Sequence, residues 1–255
     1  MIGTTEATPA VIAPGRKLGK RPPLYDKRTL RLASYIEKRK LPKVPKSHNL
    51  SRKTLKAFPA LGMMRNDELG CCTIAALAHA QQTWSTYGKA PRRPTDDEIV
   101  EAYNRINGGE DSGAFMIDAL KMARNIGVGG NTIYGFVSID PDNHDQVRTA
   151  HFLFGGLYVG AGLPYSSQAK GTWDVGDGPA FAPGSWGGHC LSVVDYDAKG
   201  LTFVTWGALQ KATWEWWDRY VDECYAILEQ DYVGDDRRSP QGFSLARLAA
   251  DLKGF

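Results

Sequence analysis

The order in which two hydrophobic periods appear along this chain limits its fold more than any other feature. "CTIAALAHAQQTWSTYG" (72–88) keeps apolar residues on a helical period up to a glycine stop at Gly88. "PTDDEIVEAYNRI" opens on Thr95, three residues before Glu98, the capping box that starts a second helix. "SGAFMIDALKMARNIGVGG" predicts a third helix closed by glycines. After it the runs shorten and become β-rich. "TIYGFVSI" and "GLYVGAGL" read as strands on either side of a helical "DPDNHDQVRTAHFLFG", with Asp142 near its cap. "HCLSVVDYDAKGLTFVTWG" is the clearest element, two β runs joined by a turn at Ala198, Lys199 and Gly200. A short helix at "TWEWWDRYV", a strand at "ECYAILEQDYV" and a helix at "SLARLAADLKGF" complete the pattern. Helices first and antiparallel strands later predict an α+β fold.

Charge divides the chain into unequal parts. Residues 1–56 hold 15 Lys and Arg against Glu6, Asp26 and Glu37, a net +12, and the remainder carries −9 within a total of +3. This predicts a basic, proline-interrupted arm (1–56), a globular domain (57–233) and a tail with a short helix (234–255). Residues 1–23 have no apolar period and read as extended. "DKRTLRLASYIEKR" (26–39) sets Leu30, Ala33, Tyr35 and Ile36 near helical spacing, and "LPKVPKSHNLSRK" reads as an extended strap into the domain. A basic arm beside an acidic body docks on an anionic partner or on that body itself. With only Tyr25 and Tyr35 to stack on bases, protein docking is favoured over nucleic acid.

No window is long and apolar enough to cross a membrane. The start, "MIGTTEATPAVIAPG", has neither the basic region nor the apolar run of a secretory signal, which predicts a cytoplasmic protein in the producing cell. Of four cysteines, Cys71 and Cys72 are neighbours and none has C-x-x-C spacing, so free thiols are expected and no zinc site. "NGGEDSG" lacks the ligand order of a calcium loop. No metal or cofactor is expected.

The candidate chemistry lies in "RNDELGCCTIAA" (65–76). A cysteine in the first turn of a helix sits where the dipole and unpaired N–H groups favour a thiolate. Cys72 fits that position better than Cys71, and Gly70 permits a close backbone approach. A thiolate needs a base. "GSWGGHCLSVV" supplies His189 at the start of a strand, 117 residues after Cys72, with glycines clearing space around the ring. His79, one helix face along from Cys72, is expected in the core, and His48, His144 and His151 have no evident partner. Trp214, Trp216 and Trp217 are expected to pack under a sheet.

"NDELGCCTIAALAHA" resembles the active-site segment of papain-like cysteine peptidases, and "GGHCLSVVDYD…LTFVTWG" resembles their histidine strand, hairpin and "NSWG" box. The ordered elements match over roughly residues 60–230, in a form similar to papain-like proteins of phage and prophage origin. The resemblance implies a papain-like fold, a helical half carrying the nucleophile and an antiparallel half carrying the histidine. It implies Cys72 as nucleophile, His189 as base and Asn66, six residues before Cys72, as oxyanion donor. The acidic Asp67 and Glu68 beside Asn66 would oppose a thiolate. Aligned on Trp206-Gly207, Val204 stands where the family carries the asparagine that orients the histidine, and valine cannot accept a ring Nδ1–H. A one-residue shift places Thr205 there instead. Asp195, six residues along the strand from His189, is about 20 Å away and too distant to help. The implied function is a thiol hydrolase acting on a peptide or isopeptide bond of a peptide or protein substrate. The alternative is an idle papain-like fold serving as a capsid or tail protein of a phage particle, docked on other phage subunits through residues 1–56.

Overall fold

The computed structural model describes residues 15–36, 43–88, 90–236, 238–240 and 244–252. Strands β1 (His48–Asn49), β2 (Gly135–Ser138), β3 (Leu157–Leu163), β4 (Gly187–Tyr196), β5 (Gly200–Thr205), β6 (Ala208–Thr213) and β7 (Val221–Leu228) form one antiparallel sheet. Its order is β2-β7-β3-β4-β5-β6, with β1 paired to the end of β4. The helices are α1 (Ala33–Ile36), α2 (Ser51–Ala57), α3 (Cys72–Ser85), α4 (Asp96–Asn107), α5 (Met116–Asn125), α6 (His144–Phe154), α7 (Trp214–Tyr220), α8 (Gln230–Val233) and α9 (Ala246–Leu252). The α+β order expected from the periodicities is the order observed.

Every residue of α3 is buried, because it lies between the sheet and α4 and α5. Small residues at Ala75, Ala76, Ala78 and Ala80 allow that close packing, and three of its buried side chains bond outward to backbone carbonyls. Gln82 Nε2 donates to Leu61 O, Gln81 Nε2 to Asn131 O and Trp84 Nε1 to Gly155 O. Thr95 and Glu98 form the expected capping box on α4. Trp216 and Trp217 are wholly buried and Trp214 nearly so, the packing expected of that cluster.

Three local expectations are corrected. The helix expected over 26–39 is only α1 among the described residues, and 37–39 lie outside them. Ser138 N donates to Leu30 O and Leu32 N to Ser138 O, so this stretch binds the free edge of β2 rather than coiling. The strap expected over 41–53 contains β1 and the start of α2, because Asp195 accepts from Leu50 N, Ser51 N and Ser51 Oγ at 2.8, 2.9 and 2.6 Å. A carboxylate from β4 thus caps a helix that its own sequence does not announce. The strand expected over 223–233 ends at Leu228, and Gln230–Val233 forms α8 with Glu229 accepting from Asp231 N and Tyr232 N. Asp142 lies beside the cap of α6, Asn143, as expected.

Candidate active site

The helix α3 begins with no side-chain cap: its N-cap residue is Cys71, and the first-turn N–H groups are left to other partners. The approach to it is pinned. Asp111 Oδ1 accepts from Gly70 N at 2.8 Å and from Tyr103 Oη at 2.9 Å, and Tyr158 Oη donates to Thr73 O at 3.0 Å. Cys71 Sγ turns inward to Met64 O. Cys72 has no exposure. Burial pushes its thiol up to about 12, against the backbone N–H groups of Cys190, Lys20 and Thr73 and the Lys20 charge, all of which favour the thiolate. The carboxylates of Asp111 and Asp67 bear instead on Cys71, whose thiol burial raises further. Glu68 is paired with Arg65. The acidic neighbours expected to oppose a thiolate at Cys72 therefore act chiefly on Cys71.

His189 lies at the start of β4, opposite Ala161 of β3, and is also wholly buried. Its Nε2 is 2.7 Å from Thr205 Oγ1, at the end of β5. Trp206 and Gly207 both take positive φ, 45° and 71°, and make the two-residue turn into β6. That turn brings the Trp206 ring over the imidazole, with centroids 4.1 Å apart and planes 13° from parallel. Of the two residues considered for orienting the ring, Thr205 holds it. Val204 faces the core, and the bonded nitrogen is Nε2 rather than Nδ1. Nδ1 is buried without a hydrogen-bond partner. Burial, and then the Arg16 charge, hold the imidazole down to about 3. Among the described residues no hydrogen bond joins the Cys72 sulfur to His189. What brings the two segments together is the packing of α3 on β4, which sets Cys72 against the strand step His189–Cys190. Thiol and imidazole are both neutral in this arrangement.

Asn66 lies just before α3, behind a turn in which Met64 and Arg65 take φ of 54° and 60°. It is buried, and its Nδ2 donates to Leu69 O at 3.0 Å. Asp195 takes no part in the site. His79 packs in the core against Gln82, and His48 pairs through Nδ1 with His151 Nδ1 at 3.1 Å.

Packing of α3 on the sheet buries Cys72 and the Trp206 ring covers His189, and the basic segment 15–21 closes the seam between them. It crosses the seam between α3 and β4 in extended form. Lys17 N donates to Asn66 O, Gly19 N and Lys20 N to Gly188 O, Ala114 N to Gly19 O and Arg21 N to Ala114 O, at 2.8–3.2 Å. Trp206 Nε1 donates to Lys17 O, and the Arg16 guanidinium lies over the Trp206 ring. A Cβ on Gly19 would come within 1.8 Å of Gly70 O. The described part of the arm thus docks on its own body, one of the two outcomes its charge allowed. Lys20, Asp111 and Tyr158 were missed by sequence reasoning, and Trp206 entered it only as an alignment anchor, not as the ring over His189. Only Trp206 carried a signal, as the first residue of a hairpin turn.

No protein-family model and no curated protein sequence matches the chain. Solved structures do. Xylellain, a cysteine protease from Xylella fastidiosa, superposes with a TM-score of 0.65 at 14% identity, over 84% of this chain and 97% of that one. A procathepsin B from Trypanosoma congolense gives 0.55 at 11% identity, over 84% and 87%. A cysteine protease of Carica candamarcensis gives 0.53 at 10%, over 73% and 99%. Among the described residues no helix is long and apolar enough to cross a membrane. With the helix-borne cysteine, the seven-stranded antiparallel sheet and these neighbours in view, the chain has the fold of the papain-like cysteine proteases.

Proposed function

We propose that this protein is a thiol hydrolase of peptide or isopeptide bonds, held silent by residues 15–21. The observation that carries this reading is the seating of Cys72 Sγ at an open helix start, against the strand step that bears His189. When the segment leaves, water returns to the seam and the desolvation that keeps both groups neutral falls. Cys72 then passes its proton to Nδ1 of His189 and its sulfur attacks the carbonyl carbon. The carbonyl oxygen takes the electron pair and is met by the Cys72 N–H and the Asn66 amide. Collapse breaks the C–N bond, the departing amine takes the Nδ1 proton, and water hydrolyses the thioester. Thr205 accepts from Nε2–H, the tautomer that leaves the Nδ1 lone pair free for this work.

The test is cleavage of a denatured protein substrate by the full chain carrying Gly19→Val, which forces the segment off Gly70. Proteolysis that disappears with Cys72→Ala is the expected result; none under any condition sinks the hydrolase. The covered, neutral site is also what an idle scaffold of a phage particle would have. That reading requires the Gly19→Val chain to label no faster at Cys72 than wild type.

A further inference from the structure

Lys20 of the covering segment is 6% exposed, an unusual state for a lysine, and its side chain enters a slot built wholly from the body of the protein. Gly160 of β3 forms one wall: a Cβ there would lie 2.0 Å from Lys20 Cε and 2.5 Å from Met116 Sδ. The end of the slot is acidic. Lys20 Nζ is 2.9 Å from both oxygens of Asp222 and 3.2 Å from Glu223 Oε2. Glu223 is held in place by Tyr225 Oη, which donates to Oε1 at 3.0 Å. Asp222 Oδ1 and Glu223 Oε2 touch the ammonium without hydrogen-bond geometry, so the slot has more acceptor capacity than one lysine uses.

Removing Lys20 strands the buried Glu223 carboxylate, with the half-buried Asp222 beside it, which is costly unless another cation replaces it. The same departure frees Gly188 O, Ala114 N, Ala114 O and Asn66 O, a row of backbone groups suited to an extended peptide. The position just before the cation must be small, since the Gly19 site meets Gly70 O directly.

We propose that the Asp222–Glu223 slot is the specificity pocket for a lysine or arginine side chain of a substrate peptide, which displaces Lys20 to enter. This rests on the hydrolase reading for its consequence but not for its measurement. An arginine, with five donors in a planar fork, uses the two under-bonded oxygens and is the better occupant. The slot opens on the seam: Gly19 N and Lys20 N bond Gly188 O, next to His189, and Gly19 lies against Gly70, two residues before Cys72, so the occupant's neighbouring peptide bonds lie at the proposed nucleophile.

The experiment measures binding in a chain that cannot cleave. Full-length protein carrying Cys72→Ala and Lys20→Ala is titrated by fluorescence anisotropy with labelled acetyl-Leu-Gly-Lys-Arg-Pro-Pro amide, the sequence of residues 18–23, and with versions bearing arginine or leucine in place of the lysine. The lysine and arginine peptides are expected to bind at least about tenfold tighter than the leucine peptide. Adding Asp222→Asn and Glu223→Gln is expected to erase that preference. Lys20→Met, which keeps the apolar stem, is the second background should Lys20→Ala fold poorly. Equal affinity for all three peptides, or no binding in either background, overturns the pocket. Cation-dependent binding without any cleavage by the Cys72 protein leaves the pocket standing and removes the hydrolase. Cleavage indifferent to lysine or arginine does the opposite.

Discussion

At the scale of single residues, the imidazole of His189 is the pivot. One nitrogen is committed to Thr205 and the other is buried without a partner, so any proton it exchanges passes through Nδ1. Thr205→Val removes the acceptor with little change of volume. In a chain already opened by Gly19→Val, it is expected to slow turnover about tenfold to a hundredfold, and Thr205→Ser to restore most of the loss. Equal rates for the valine and serine variants would show that the hydroxyl does not position the ring. Cys72 and His189 were legible from their surroundings in sequence, a glycine before a helix and glycines before a strand. The choice between Val204 and Thr205 was not. A residue at the end of a strand changes face with a one-residue shift, and only the positive φ of Trp206 fixes which one meets the ring.

At the scale of elements, local patterns were legible where the chain supplies its own signals. The capping box of α4 is one: Thr95→Ala is expected to cost about 1 kcal/mol, read as a lower urea midpoint at unchanged slope. No comparable signal exists for α2, whose cap is the carboxylate of Asp195 from a strand far along the chain. Asp195→Ala should therefore destabilise by more than Thr95→Ala, since it leaves Ser51 N and Ser51 Oγ unmet, while Leu50 N keeps Val194 O. Residues 15–21 were read as an extended arm, and extended they are. Their docking rests on backbone groups of Gly188, Ala114 and Asn66, and a row of backbone partners leaves no trace in side-chain composition.

At the scale of the whole molecule, buried histidines set the response to acid. Burial holds His48 and His79 down to about 4 and His189 to about 3. In the unfolded chain each takes a proton near pH 6.5, so below that pH the unfolded state binds more protons than the native one. Stability is full above about pH 6.5 and falls as the pH drops towards 4, by up to about 1.4 kcal/mol per pH unit for each histidine. Urea midpoints at pH 7, 5.5 and 4.5 should decline in that order, and a flat series would contradict the burial of these rings. The raised Cys72 thiol works at the other end: the unfolded chain loses that proton near pH 9 and the native chain near 12, so stability declines as pH rises through that window. The distribution of charge was legible at this scale as a basic arm and an acidic body. That its residues 15–21 lie across the seam of the fold rests on backbone partners, the buried Lys20 and the close approach of Gly19 to Gly70.

The most direct test of the account is the rate of iodoacetamide labelling at Cys72, resolved from Cys71 by mass spectrometry across pH. It is made in full-length wild type, in Gly19→Val and in Gly19→Val with His189→Ala. Wild type should label slowly through neutral pH. Gly19→Val should label fast below the ordinary thiol range, and the added His189→Ala should abolish that gain. Slow labelling in all three chains, or fast labelling indifferent to His189, would contradict a covered nucleophile poised by that histidine.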